Sequence, residues 1–175
     1  MPGEIKIRQA APPDGERVGA ILNEVARWLE EAGTPMWKAN ELEPARVLAD
    51  VNEGLFFIAE VSGDAAGTVK FELEDPLFWP DMPRNEACYV HRLAVRRRYA
   101  GMGLSSALLG FAAMRTRELG RPYLRLDCES ARPRLRAVYE AFGFRHHSDL
   151  EVSPYHVSRY VYDVMKGVAA GRGQS

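Results

Sequence analysis

The sequence predicts an α/β fold, a single domain built on a mixed, mostly antiparallel sheet flanked by helices. Three observations carry this expectation. Two runs of strand length, residues 55–61 and 67–73, are separated by the turn residues Ser62, Gly63 and Asp64 and read as an antiparallel hairpin. A further strand over 87–95 runs into a basic turn with two glycines and then into a helix that carries apolar residues on one face. The chain of 175 residues has the length of one ordinary domain and is large enough to bury a full core.

Taken in order, Ile5-Lys6-Ile7-Arg8 alternates apolar and charged residues, which argues a short first strand. Pro12 and Pro13 break it, and Asp14 is expected to cap a helix whose inner face carries Val18, Ile21, Leu22, Val25 and Leu29. Gly33-Thr34-Pro35 ends that helix and leaves Met36 and Trp37 in a loop. Pro44 starts a second helix running to about Val51, with Val47 and Leu48 expected to point inward. The run 55–61 is nearly continuous in apolar residues, as burial on both faces requires, while 67–73 alternates. Residues 76–84, with Phe78, Trp79 and three prolines, form a loop.

In the strand over 87–95, side chains alternate, so Tyr89, His91, Leu93 and Val95 are expected on one face. The helix over 102–119 presents Leu104, Ala107, Leu108, Phe111, Ala112 and Leu119 to the core. A strand at 123–128, a helix at 133–142 and two strands at 144–152 and 157–165, joined through Pro154, complete the domain over 1–166. The small, polar residues 167–175 are expected to fray as a disordered tail.

Composition narrows the classes of function. Hydrophobic residues make up 46% and charged residues 27%, as in a globular protein, and a formal net charge of -1 gives no general affinity for nucleic acid or membrane. Positive charge is local, at Arg96–Arg98 and again at Arg132, Arg134 and Arg136, which favours a small anionic ligand over a polyanion. Cys88 and Cys128 have no metal-like spacing and the four histidines have no cysteine partner, so no metal site is expected. The two thiols read as reduced and buried. No apolar leader or membrane-length run occurs, so a cytoplasmic protein is expected, as a monomer or homodimer.

The turn after the strand over 87–95 has the chemistry of an anion site. The first N–H groups of a helix lack partners within it, and the helix dipole adds partial positive charge there. Glycine at 101 and 103 removes the Cβ atoms that would hold a phosphate off, and three arginines surround the same spot. A nucleoside-triphosphate loop is excluded because no Gly-Lys-Ser/Thr follows. A dinucleotide-binding oxidoreductase domain would use Asp127 at the end of the next strand for ribose. Five residues, Arg96 to Ala100, separate strand from glycine, however, and Ser106 occupies the third glycine position.

Arg98-Tyr99-Ala100-Gly101-Met102-Gly103 matches the Arg/Gln-x-x-Gly-x-Gly/Ala signature of the GNAT superfamily of acyl-CoA N-acyltransferases. Leu93-Ala94-Val95 before it and Leu104-x-x-x-Leu108-Leu109 after it resemble the same family. Leu135-Arg136-Ala137-Val138-Tyr139-Glu140-Ala141-Phe142-Gly143-Phe144 is similar to its second marker, a helix bearing Tyr and ending in Gly-Phe. The resemblance is strong from about Glu86 to Phe144 and architectural elsewhere. It implies a three-layer domain whose central sheet is splayed, with acetyl-CoA as cosubstrate and an amine as acceptor.

By that resemblance, Leu93 and Val95 offer backbone groups to pantetheine. Residues Leu93, Ala94, Val95, Arg96, Arg97, Arg98, Tyr99, Ala100, Gly101, Met102, Gly103, Leu104 and Ser105 hold the cofactor, and Tyr139 meets the coenzyme A sulfur. The family often places an asparagine one or two turns before the tyrosine. Here Ser130-Ala131-Arg132 stands in its place, so Ser130 and Arg132 either take over its cofactor contact or leave it unmade. Trp28, Met36 and Trp37 would border the acceptor, Tyr89 would face it, and His146, His147, Glu151, Tyr155 and His156 lie in the closing hairpin.

Acyl transfer needs a neutral amine, a polarised thioester carbonyl and a proton for the leaving thiolate. His91 suits the base because imidazole accepts a proton near neutral pH, with Glu72, Glu74 and Glu86 as rivals. Tyr139 suits the acid because a phenol of pKa roughly 10 stays protonated until a thiolate appears. Neither cysteine lies in a reactive context, so direct attack in a ternary complex is expected. A non-catalytic acyl-CoA sensor of the same fold is the alternative to an N-acetyltransferase.

Overall fold

The computed structural model describes residues 3–166, and the expectation for the tail at 167–175 lies outside them. Among the described residues the fold is mixed α/β, with seven strands in one mostly antiparallel sheet and four α-helices. The elements are β1 (Ile5–Gln9), α1 (Gly15–Glu31), α2 (Pro44–Asn52), β2 (Phe56–Val61), β3 (Asp64–Glu72), β4 (Ala87–Val95), α3 (Leu104–Glu118), β5 (Tyr123–Glu129), α4 (Pro133–Phe142), β6 (Arg145–Val152) and β7 (Tyr155–Asp163). The strand order is β1-β2-β3-β4-β5-β7-β6. Two compact units divide the chain, one comprising the residues up to Phe71 with Arg92–Leu108, the other Glu72–His91 with the residues from Leu109 on.

In the first unit, Val18, Ile21, Leu22 and Val25 of α1, Val47 and Val51 of α2, Phe56 and Ile58 of β2, and Ala94 form one core. Each large side chain buried there stabilises the fold by about 1.5–3 kcal/mol relative to exposure. Leu29 is only partly buried against this core. Leu48, expected inside, is 43% exposed. It folds instead over Gly15, where any Cβ would stand 2.8 Å from its Cδ1. Asp14 makes no side-chain cap on α1. Its carboxylate accepts the Ala11 N–H at 2.8 Å and a bidentate pair from Arg8 at 2.7 and 2.9 Å, which hold it near pKa 2. A charged fork competes better for the carboxylate than a helix amide.

The β2–β3 hairpin turns at Ser62 and Gly63, whose φ values of 51° and 86° are both left-handed, as a two-residue type I′ turn requires. In β4, Arg92 has φ 53°. That left-handed residue lies inside a strand that runs on to Val95. The basic turn then leads into α3, which begins at Leu104 and not at Met102. Leu119 therefore falls past the helix end and is 45% exposed, whereas Leu109 is buried.

In the second unit, β5 pairs antiparallel with β7 and β7 with β6. β4 pairs parallel with β5 at Ala87–Tyr123, Cys88–Leu124 and Tyr89–Arg125. Pleating puts Tyr89 and His91 on the same face as Arg125 and Asp127, while Leu124, Leu126 and Cys128 face the other way beside Ser158, Tyr160 and Tyr162. The first face is covered by the 76–84 loop through Trp79, which packs with Ala87 and Tyr89. No helix among the described residues is long and apolar enough to cross a membrane.

Candidate active site

The first unit carries the predicted anion turn. Arg97–Tyr99 forms a 3₁₀ turn, and Gly101 and Gly103 follow with φ values of 79° and 81°. Those angles explain both glycines, since a residue with a Cβ resists the left-handed region. A Cβ at either position would meet no atom of the chain within 4 Å beyond its immediate neighbours, so the space it would enter is open. The Tyr99, Ala100 and Met102 amides are consumed within the turn. Those of Gly101, Gly103, Leu104, Ser105 and Ser106 have no acceptor among the described residues. Five unspent donors at the head of a 15-residue helix can take up an anion such as a diphosphate.

The arginines beside the turn are already placed. Arg97 lies 3.7 Å over the Trp28 ring and donates its backbone N–H to Glu24 Oε2 at 3.2 Å. Arg98 Nη2 and the Tyr99 hydroxyl both donate to Asp64 Oδ2, at 3.3 and 3.0 Å. The Arg98–Asp64 pair is exposed, so a phosphate can compete for the guanidinium at little cost. Arg96 donates its backbone N–H to Ala66 O, and its Nε is buried with no hydrogen-bond partner. Ala94 and Leu104 point their side chains into the core, so only their backbones can serve a ligand. Trp37 packs against the core and lies 5.8 Å from the guanidinium of Arg92, which also pairs with Glu41 at 3.3 Å.

In the second unit, His91 sits among carboxylates from three segments. Nε2 is 3.1 Å from Asp75 Oδ2 and 3.5 Å from Glu72 Oε2, and Nδ1 is 4.0 Å from Asp127 Oδ1. Burial alone would lower the pKa of the imidazole, but the Asp75 carboxylate against Nε2 and the charges of Asp127 and Glu72 outweigh it and raise the pKa. Asp75 in turn is held below its ordinary value: burial opposes ionisation, and His91 and the amides of Phe78 and Leu77 overcome it. The ligand atoms of Asp75, His91 and Asp127 lie within 4.8 Å of one another. A carboxylate thus stands opposite each ring nitrogen. Asp127 was legible as an acidic strand end, but Asp75 lies in a loop with no periodicity to place it.

Tyr139, on α4, packs on the opposite face of the same strands. Its ring stands 6.1 Å from that of Phe144 and 6.4 Å from that of Tyr160. Burial, reinforced by the negative charges that Cys128 and Asp127 can carry, raises the phenol pKa, so the hydroxyl holds its proton. No group among the described residues hydrogen-bonds that hydroxyl. Cys128 is pushed up to about 12, chiefly by burial, which keeps it a thiol.

The remaining candidates in this unit are engaged. Tyr89 is 5% exposed, packs on Trp79, and accepts a hydrogen bond from Arg125 at 3.2 Å. Glu86, a rival base, pairs with Arg125 at 3.1 Å. Ser130 accepts from the Ser158 hydroxyl at 3.0 Å, and Arg132 Nε donates to Glu129 at 2.6 Å. In the closing hairpin, His146 lies 2.8 Å from Asp149, and His147 packs 5.5 Å from Trp79.

Comparison with known proteins gives a consistent picture. The profile of the acetyltransferase (GNAT) family matches residues 22–144. The chain is 27% identical over 152 residues to an uncharacterised N-acetyltransferase, YesJ, of Bacillus subtilis strain 168, covering 82% of this chain and 83% of that one. Its fold is similar to that of a GNAT family acetyltransferase from Listeria monocytogenes, with a TM-score of 0.75, 24% identity and coverage of 91% and 96%. It is also similar to that of YncA, a putative acetyltransferase from Salmonella typhimurium solved with acetyl-CoA, with a TM-score of 0.70, 16% identity and coverage of 93% and 95%.

Proposed function

The chain belongs to the acetyltransferase (GNAT) family, and from that premise we propose that it is an N-acetyltransferase moving the acetyl group of acetyl-CoA to a primary amine in a ternary complex. The observation that carries the reading is the turn at 96–106, with two left-handed glycines, five amides without acceptors and flanking arginines. Acetyl-CoA supplies a diphosphate of the charge and size such a turn accepts. In this reading residues 93–105 bind the cofactor, with the Leu93 and Val95 backbones pairing pantetheine, and Ser130 and Arg132 complete its contacts. The solved YncA complex with acetyl-CoA supports the choice of donor. The profile match, which spans parts of both compact units, supports residues 1–166 working as one domain.

In this reading His91 is the base and Tyr139 the acid. The neutral amine attacks the thioester carbonyl, its nitrogen gives one proton to His91, directly or through water, and the C–N bond forms. The C–S bond then breaks and Tyr139 gives one proton to the departing sulfur, so amide and free thiol balance the amine and thioester consumed. Trp28, Trp37 and Tyr89 border the acceptor, Trp28 also by holding Arg97. Calorimetric titration with coenzyme A, followed by a screen of amines for acetyl-CoA-dependent thiol release, tests the proposal. Binding with amine-dependent release is expected, and binding without any transfer would leave an acyl-CoA sensor instead.

A further inference from the structure

We propose that Asp75 is a positioning residue for His91: its carboxylate accepts the Nε2–H of the imidazole, keeps the proton on that nitrogen and so leaves Nδ1 as the nitrogen that takes the proton of the acceptor amine. The inference rests on the reading of His91 as the base and adds which nitrogen acts and what fixes it.

The Asp75 carboxylate divides its two oxygens between separate tasks. Oδ1 accepts the Phe78 N–H at 3.0 Å, and the Asp75 carbonyl accepts the Trp79 N–H at 3.0 Å, so the loop clasps the residue from both sides. Oδ2 is turned to His91 Nε2 at 3.1 Å. The side chain is only 7% exposed, and no donor is aligned on Oδ2 well enough to make a full hydrogen bond. A buried carboxylate oxygen left in that state is costly, so a ring whose Nε2 carries a proton is the species the site favours. Contacts of this kind are commonly long or bent before substrate binds and tighten in the complex.

The other ring nitrogen has a different outlook. Nδ1 faces Asp127 Oδ1 at 4.0 Å, beyond hydrogen-bond distance. Glu72, from the end of β3, approaches Nε2 at 3.5 Å, on the side that Asp75 already serves. The titratable groups facing the imidazole are therefore Glu72, Asp75 and Asp127, and Asp75 is the nearest. The two nitrogens of a neutral imidazole cannot both accept, so fixing the proton on Nε2 decides which one is basic.

Nitrogen-15 NMR of the His91 ring in the coenzyme A-bound protein, run beside the pH profile of acetyl transfer, tests the proposal. In the wild-type protein the neutral ring is expected as the Nε2–H tautomer. In Asp75→Asn the tautomer preference is lost, the His91 titration moves to lower pH by about one unit, and kcat falls by at least about tenfold while the KM for acetyl-CoA holds. Asp75→Glu keeps the charge and restores part of both. A wild-type ring in the Nδ1–H form, or an Asp75→Asn protein whose His91 titration and kcat match wild type, overturns the inference. Should no amine be acetylated, the reading of the protein as an enzyme fails, yet the wild-type tautomer still decides the role of Asp75. The wild-type measurement also stands if the Asn variant does not fold.

Discussion

The guanidinium of Arg97 lies 3.7 Å over the ring of Trp28, and the Arg97 backbone N–H is taken by Glu24. Both partners come from α1, so a helix far away in sequence fixes the first residue of the 3₁₀ turn. Trp28 is 39% exposed, which an indole tolerates when a cation covers its face. The stack orients a charge that would otherwise sweep through solvent.

Trp28→Leu is therefore expected to weaken coenzyme A binding by about two- to fivefold, the worth of an exposed cation–π contact. Isothermal titration checks it. Unchanged affinity would show that Arg97 reaches the cofactor without help from the indole.

Gly103 makes a sharper case. Its φ of 81° costs an L-residue roughly 1–2 kcal/mol, and a Cβ there would enter space that no atom of the chain fills. Gly103→Val should lose coenzyme A affinity by at least about tenfold, with β-branching adding to the strain. Gly103→Asn, which tolerates the left-handed region, should lose less. Equal affinities for both variants and wild type would mean the ligand does not enter this turn.

The turn was legible because its signal is local: two glycines, three arginines and a helix start fall within about ten residues and need no tertiary knowledge. The hairpin of β2 and β3 was legible for the same reason, since Ser62 and Gly63 impose their own geometry. Leu48 and Leu119 were misplaced because periodicity gives an angle around a helix but not the neighbour that covers it or the residue where the helix stops. Asp14 went astray because Arg8, which claims its carboxylate, sits on a strand where propensity alone assigns it to solvent. The surroundings of His91 were out of reach. They depend on the parallel register that sets Tyr89 against Arg125, and on a loop that brings Asp75 in from outside any periodic element.

Tyr139→Phe preserves the ring that packs between Phe144 and Tyr160 and removes only a hydroxyl that no neighbouring residue binds. Folding should be little changed. If the phenol protonates the leaving sulfur, kcat should fall by about a hundredfold, the lower range for a general acid, while the KM for acetyl-CoA changes little. Steady-state kinetics decide the matter, and a variant as fast as wild type would remove Tyr139 from the chemistry.

His91 links activity and stability with opposite signs. Its carboxylate partners raise its pKa above the ordinary 6.5, so the folded protein holds the imidazolium more tightly than the unfolded chain does. That contribution to stability is fully present below the unfolded value and is lost as pH rises through the folded one. The neutral ring, which alone can accept the amine proton, becomes populated over that same interval. Raising the pH from below 6.5 toward the alkaline side should therefore increase kcat while lowering the melting temperature, with both midpoints above 6.5. His91→Gln should abolish the rise in kcat and flatten this segment of the stability curve. A wild-type kcat that climbs with a midpoint below 6.5, or a melting temperature that rises across the interval, would show that the carboxylates around the ring do not hold its proton.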